Sequence, residues 1–190
     1  MARTGVPLQI KSVDGENNLF RVEDVFTPDL VQQVLATDWL NKPWQRQEGQ
    51  ENWSRRRILN TTLSWMHEWD RQLDQSWSQI EKGIGEQLHP YSGTAFWLDE
   101  DGFTCGLHTD GELPGSLHMT WIGPGTSFYW YKDPSTLRYQ VPSMPNAGYI
   151  MINRADENGY RKLLWHAMLT PVANFRISSY TWLKPVNNTK

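Results

Sequence analysis

His108, Asp110 and His166 are the residues of this chain best suited to hold a metal ion. Two imidazole nitrogens and a carboxylate oxygen suit iron(II), and also zinc or manganese, and when they bind on one face the remaining coordination positions stay open. His108 and Asp110 stand two apart, so on an extended chain both side chains point to the same side. Arg176 and Ser178 repeat that spacing, beginning ten residues after His166. An arginine fork and a hydroxyl on one strand face can grip a carboxylate through charge-assisted bonds. A buried arginine needs such a partner, because an unpaired buried charge is costly. A carboxylate of a ligand would serve, and so would a surface acid of the protein.

With five histidines, a His-x-Asp match alone arises by chance roughly once in four such chains. A distant histidine, a basic residue ten positions on and a serine two further reduce that to roughly a few in a thousand. His118 and Thr120 lie two apart in the next apolar run and are candidates to face the same cavity. For His118 the alternative is a hydrogen-bonded core histidine. His67 and His89 flank a helix and have no special context. Cys105, the single cysteine, reads as a small core residue. It can form no intramolecular disulfide, and without a second cysteine a structural zinc site is poorly supported.

The elements that must position these residues divide the chain in two. Thr27-Pro28 is an N-cap and first-turn pair, and Leu30, Val31, Val34 and Leu35 predict a helix from about Pro28 to Thr37. Asn41 to Ser54 is polar and reads as loop. Trp69, Leu73, Trp77, Ile80, Ile84 and Leu88 draw one apolar stripe of a second helix, weakened by Gly83 and Gly85 and stopped by Pro90. Beyond Pro90, short runs broken by Gly and Pro predict strands at Ala95–Leu98, Thr104–His108, Leu117–Ile122, Ser127–Tyr131, Tyr139–Val141, Tyr149–Ile152, Leu163–Met168 and Phe175–Leu183. Gly123-Pro124-Gly125 reads as a turn and Asn153–Gly159 as a polar loop. The expected class is α+β and mainly β, a jelly roll with supporting N-terminal helices on one face. Residues 1–190 make one domain, about 1–90 helical or irregular support and about 91–185 the β core.

At 190 residues the chain can bury a sizeable core. A net charge of -3 provides no basic field, which argues against nucleic acid and anionic membranes as partners. The Arg55-Arg56-Arg57 run reads as a solvated surface turn. No apolar leader or membrane-length run is read, and with the lone cysteine this points to a cytoplasmic location. Most of the eleven tryptophans, among them Trp65, Trp69, Trp77, Trp121, Trp130 and Trp182, are assigned to the core, a few to a substrate mouth. The polar and aromatic segments Trp44–Arg57 and Lys132–Arg138 are candidates to flank that mouth. Oligomeric state is not legible.

On His108-Thr109-Asp110, His166 and Phe175-Arg176-Ile177-Ser178, the chain resembles the iron(II)/2-oxoglutarate oxygenase superfamily, and most nearly its prolyl-hydroxylase-like branch. Phe26-Thr27-Pro28-Asp29-Leu30 looks like that family's opening helix, and Asn146–Met151 like the strand before its distal histidine. The resemblance implies a double-stranded β-helix, with Fe(II), 2-oxoglutarate and O2 as cofactors and cosubstrates and ascorbate in support. It implies His108, Asp110 and His166 on the metal, and Arg176 and Ser178 on the 5-carboxylate. The implied reaction hydroxylates an unactivated C–H bond of a peptide or small molecule, a peptidyl proline first, with release of succinate and carbon dioxide. Two features depart from relatives: the prolyl-4-hydroxylase branch often has lysine where Arg176 stands, and Trp182 replaces the second arginine of nucleic-acid demethylases. Two alternatives are a non-catalytic jelly-roll module binding a small acid or metal, and a cupin-like metalloenzyme that does not use 2-oxoglutarate.

Overall fold

The computed structural model describes residues 7–13, 15–16, 18–46, 54–91, 93–111, 113–123, 127–154 and 164–185. In chain order the elements are β1 (Gln9–Ser12), β2 (Leu19–Glu23), α1 (Pro28–Leu35), a 3-10 turn (Trp39–Asn41), β3 (Trp44–Arg46), β4 (Arg56–Leu59), α2 (Met66–Ile84) and β5 (Leu88–Pro90). Then follow β6 (Ala95–Glu100), β7 (Cys105–His108), β8 (Gly115–Ile122), β9 (Ser127–Asp133), β10 (Thr136–Pro142), β11 (Ala147–Ile152), β12 (Trp165–Met168) and β13 (Phe175–Pro185). Among the described residues the fold is therefore mainly β with two α-helices, and each strand expected after Pro90 is present within a few residues of its predicted bounds.

The strands form two sheets in which every pairing is antiparallel. The larger runs β1-β2-β11-β8-β13-β6-β4-β3, with β5 also on β13; the smaller runs β10-β9-β12-β7. The helices cover one face of the large sheet and the small sheet packs against the other. Strand alternation sorts the residues between these faces. On β8, Leu117, Met119 and Trp121 join the helical core, and on β11 Ile150 and Ile152 do the same. The alternate residues Tyr149 and Met151 pack instead with Phe128 and Trp130 of the small sheet.

The helix α2 buries Trp69, Leu73, Trp77, Ile80 and Ile84, the stripe read from sequence. It ends at Gly85, whose φ of 70 places it in the left-handed conformation that glycine adopts without steric cost. Leu88, expected on the helix, belongs to β5 and still reaches the core. Thr27 stands at the N-cap of α1, but its side chain caps no helix N–H. Its backbone N–H donates to Gln72 Oε1 at 2.8 Å and its hydroxyl accepts from Gln72 Nε2 at 3.0 Å, tying α1 to α2.

The sequence reading missed β1 to β5. Residues expected to be helical or irregular support therefore also extend the large sheet on both of its edges. The Asn41–Ser54 loop contains β3, with residues 47–53 outside the described set. Lys132–Arg138 is no open loop but the tight β9–β10 connection. Pro124, Gly125, residues 155–159 and Leu163 also lie outside the described residues. Among the described residues no helix is long and apolar enough to cross a membrane.

Candidate active site

Between the two sheets lies a cavity of about 350 Å³ whose lining includes His108, Asp110, His118, His166, Arg176 and Ser178. His166 on β12 is the cross-strand partner of His108 at the end of β7. Asp110 follows two residues later, before Gly111 turns the chain at φ 69. The three side chains offer ligand atoms that all lie within 4.8 Å of one another. Asp110 Oδ1 is 3.7 Å from His108 Nε2 and 3.5 Å from His166 Nε2.

Each ring is oriented through its other nitrogen. His108 Nδ1 lies 2.7 Å from the Gly106 carbonyl and His166 Nδ1 lies 3.1 Å from the Leu164 carbonyl. A carbonyl can only accept, so both Nδ1 atoms carry a proton and both Nε2 atoms turn toward Asp110. Carbonyl-anchored imidazoles of this kind are the usual support of metal ligands. Asp110 is held as well: Tyr180 donates its hydroxyl to Oδ2 at 2.9 Å, leaving Oδ1 toward the histidines. Burial opposes the Asp110 charge, but the contacts with His166 and Tyr180 hold its carboxyl well below the usual range. Burial, with His166 alongside, pushes His108 down and so favours the neutral ring. Two imidazoles and a carboxylate make a donor set that fits one divalent cation.

Arg176 and Ser178 point into the same cavity from β13 and are almost fully buried. Arg176 already has a partner inside the protein. Its Nε donates to Asp99 Oδ2 at 2.8 Å, Nη2 contacts the same oxygen, and Nη1 contacts Met168 Sδ. The acid is buried, not the surface acid considered from sequence. Asp99 also accepts from Arg56 Nε at 2.6 Å and Nη2 at 3.2 Å. Burial disfavours the Asp99 charge, but Arg176 and Arg56 overcome this and lower its pKa. Gly123 backs the group: a Cβ there would stand 2.8 Å from Arg176 Cγ, so the arginine stem needs glycine behind it.

The arginine run is thus a surface turn only at Arg55, which is exposed just before β4 and contacts the Asp101 carbonyl. Arg57, on β4 and partly exposed, pairs with Glu100 at 2.6 Å. Arg56, between them on β4, turns inward, lines the cavity and lies over the rings of Trp97 and Phe103. His118 lines the cavity, stacked edge-on against Tyr180 and Phe128. Its Nδ1 is buried with no hydrogen-bond partner among the described residues, and burial pushes its pKa down to about 3. Thr120 is not among the residues lining this cavity, although it is the cross-strand partner of Ser178; it lines a separate one with Trp121, Ile122 and Gly123. Cys105 packs with Phe103, Met168 and Val172 as a core residue and also touches the cavity, with Sγ 3.5 Å from His108 Nδ1. Trp182, assigned to the core from sequence, is half-buried and lines the cavity with Trp97. Among the described residues none from Lys132 to Arg138 does so.

Sequence reasoning missed Arg56, Asp99 and Tyr180. One signal was available for Asp99: a carboxylate that continues the apolar run Ala95–Leu98 must find a cation if the strand is buried. For Tyr180 the signal was alternation: it stands two residues after Ser178 on the same strand, hence on the same face.

No protein-family model matches the chain, and no curated protein sequence matches it. Solved structures do. A viral collagen prolyl hydroxylase from Paramecium Bursaria Chlorella virus-1, in complex with 2-oxoglutarate, superposes with a TM-score of 0.64 at 14% identity, covering 92% of this chain and 100% of that one. A Pseudomonas putida prolyl-4-hydroxylase gives 0.64 at 13% identity, covering 90% and 94%. A 2OG-Fe(II) oxygenase family oxidoreductase from Burkholderia pseudomallei gives 0.60 at 10% identity, covering 91% and 87%. The chain therefore has the overall fold of these oxygenases along nearly its whole length.

Proposed function

We propose that the chain is an iron(II)- and 2-oxoglutarate-dependent dioxygenase that hydroxylates a C–H bond of a peptide or small molecule. The observation that carries this reading is the convergence of His108 Nε2, His166 Nε2 and Asp110 Oδ1 at one end of a cavity lined further in by Arg176 and Ser178. In this reading the two facing sheets are the double-stranded β-helix, and residues 1–190 form one oxygenase domain. The fold shared with prolyl hydroxylases supports it, and makes a peptidyl proline the first substrate to try.

His108, Asp110 and His166 hold the metal. Arg176 and Ser178 orient the 5-carboxylate of 2-oxoglutarate, an effect of positioning. When bound, iron(II), 2-oxoglutarate and O2 supply the oxidising chemistry, with succinate and carbon dioxide released and ascorbate keeping the metal reduced. His118 forms part of the cavity wall, edge-on to Phe128 and Tyr180. Trp97, Trp182 and Phe128 give the cavity an apolar wall that limits water around it. The acidic balance of the chain supports a substrate other than nucleic acid, and its single cysteine supports an intracellular site of action.

One observation favours the cupin-like alternative: Arg176 is already paired with Asp99, so it does not require a ligand for neutrality. Anaerobic titration with iron(II) and then 2-oxoglutarate separates the two. The oxygenase reading expects a visible metal-to-ligand charge-transfer band, and succinate release once oxygen is admitted. A protein that binds iron but shows neither is the cupin-like enzyme or the non-catalytic module instead.

A further inference from the structure

We propose that Arg56 is a second seat for the terminal carboxylate of the cosubstrate, acting with Arg176 as a dibasic pair held together by Asp99. This inference rests on the oxygenase reading and adds a residue to it from the N-terminal half of the chain. Pairing register supplies the first argument. Arg56 on β4 and Arg176 on β13 are both direct cross-strand partners of Asp99 on the strand between them, β6. The three therefore form one row across three adjacent strands, and directly opposed residues point to the same face of a sheet. That face is the cavity, and both arginines are among its lining residues.

Charge supplies the second argument. Among the described residues at this cavity, the metal end has one carboxylate, Asp110, and the far end has two guanidiniums against one carboxylate, Asp99. A divalent cation on Asp110 leaves one positive charge at the near end. Two arginines on Asp99 leave one positive charge at the far end. A dianion with a carboxylate at each tip neutralises both. With Arg176 alone the far end would be neutral against Asp99, and a second carboxylate would enter without a counter-charge, which is unfavourable in a buried site. The Arg56 guanidinium is also fixed in place, 5.3 Å from the Trp97 ring centroid and 4.6 Å from that of Phe103, so it meets the ligand pre-organised.

The test compares 2-oxoglutarate with 2-oxopentanoate, which has a methyl in place of the terminal carboxylate. Binding of each to manganese(II)-loaded protein is followed by tryptophan quenching, for wild type, Arg56→Met and Arg56→Gln. Both variants leave Asp99 paired with Arg176, and melting temperature and manganese affinity verify that fold and metal site persist. The expected result is a wild-type preference for 2-oxoglutarate that falls about 30-fold or more in each variant, with 2-oxopentanoate binding unchanged, as for truncation of one partner of a buried charge pair. A purely structural Arg56 would lower both affinities alike or neither, and an unchanged ratio overturns the inference while leaving the oxygenase reading intact. Wild-type protein that binds neither acid overturns both.

Discussion

The two ends of the cavity are both made from cross-strand neighbours, yet they are held in opposite ways. At the metal end, His108, His166 and Asp110 turn three electron-rich atoms toward one point, and their fixings lie behind them: two backbone carbonyls and the Tyr180 hydroxyl. At the arginine end, the charged atoms are directed at one another through Asp99. The first arrangement gains little for the fold until a cation arrives. The second is part of the buried interior whether or not a ligand is present. Stability and function should therefore separate at the metal end and be coupled at the arginine end.

The strongest way to break that contrast is Asp99→Ala. It leaves two buried arginines facing each other and should destabilise the protein by about 3–5 kcal/mol, read as the urea midpoint. A loss below about 1 kcal/mol would mean that water reaches the pair and the two ends are alike. Next is Arg176→Ala against Asp110→Ala. The first should weaken 2-oxoglutarate binding about 100-fold, leave metal affinity unchanged and lower stability by about 1–3 kcal/mol. The second should abolish metal binding and metal-dependent turnover while the metal-free protein changes by no more than about 1 kcal/mol. Equilibrium dialysis with iron(II), paired with unfolding curves, decides both.

Tyr180→Phe sharpens the comparison at lower amplitude. It removes the bond that holds Asp110 Oδ2, and metal affinity should fall about 10-fold with Asp110 itself intact. An unchanged affinity would show that Asp110 is positioned by its backbone alone. Acid should also tell the ends apart. His118 is pushed down to about 3, below the unfolded value near 6.5, so the unfolded chain binds the extra proton first. Its contribution is fully present above about pH 6.5 and is lost progressively toward pH 3. The Asp99 contribution is lost only below the ordinary carboxyl range, since its folded pKa is lowered. Urea midpoints of metal-free protein at pH 7 and pH 5 should differ by on the order of 1 kcal/mol, the half-buried ring being partly screened by water, and His118→Gln should reduce the difference.

Legibility in the sequence followed the range of the interaction. The stripe from Trp69 to Ile84 is local, set by helical period, and it lies where the spacing puts it. The His108–Asp110 and Arg176–Ser178 pairs are local too, and each reaches the cavity with its partner. Arg56 shows the limit: three successive arginines look like a charged turn, and strand alternation sends the middle one inward, but the alternation is visible only once β4 is known to be a strand. Thr120 shows it again. It shares a strand face with His118, yet they line different cavities, because what covers a strand face changes along its length. Trp182 has the composition of a core residue and stands at the cavity because alternation along β13 puts it on the face of Arg176, Ser178 and Tyr180.

By itself the sequence determined the kinds of chemistry available and the elements that carry it. Ligand types, the His-x-Asp and Arg-x-Ser spacings, two helices and the strands after Pro90 all follow from short-range period and side-chain chemistry. Only the tertiary structure decided which residues meet: His166 opposite His108, Tyr180 on Asp110, and Arg56, Asp99 and Arg176 in one row. Those meetings depend on strand register between distant segments. Register is fixed by the burial of whole sheet faces, a cooperative quantity that no local window of the chain contains.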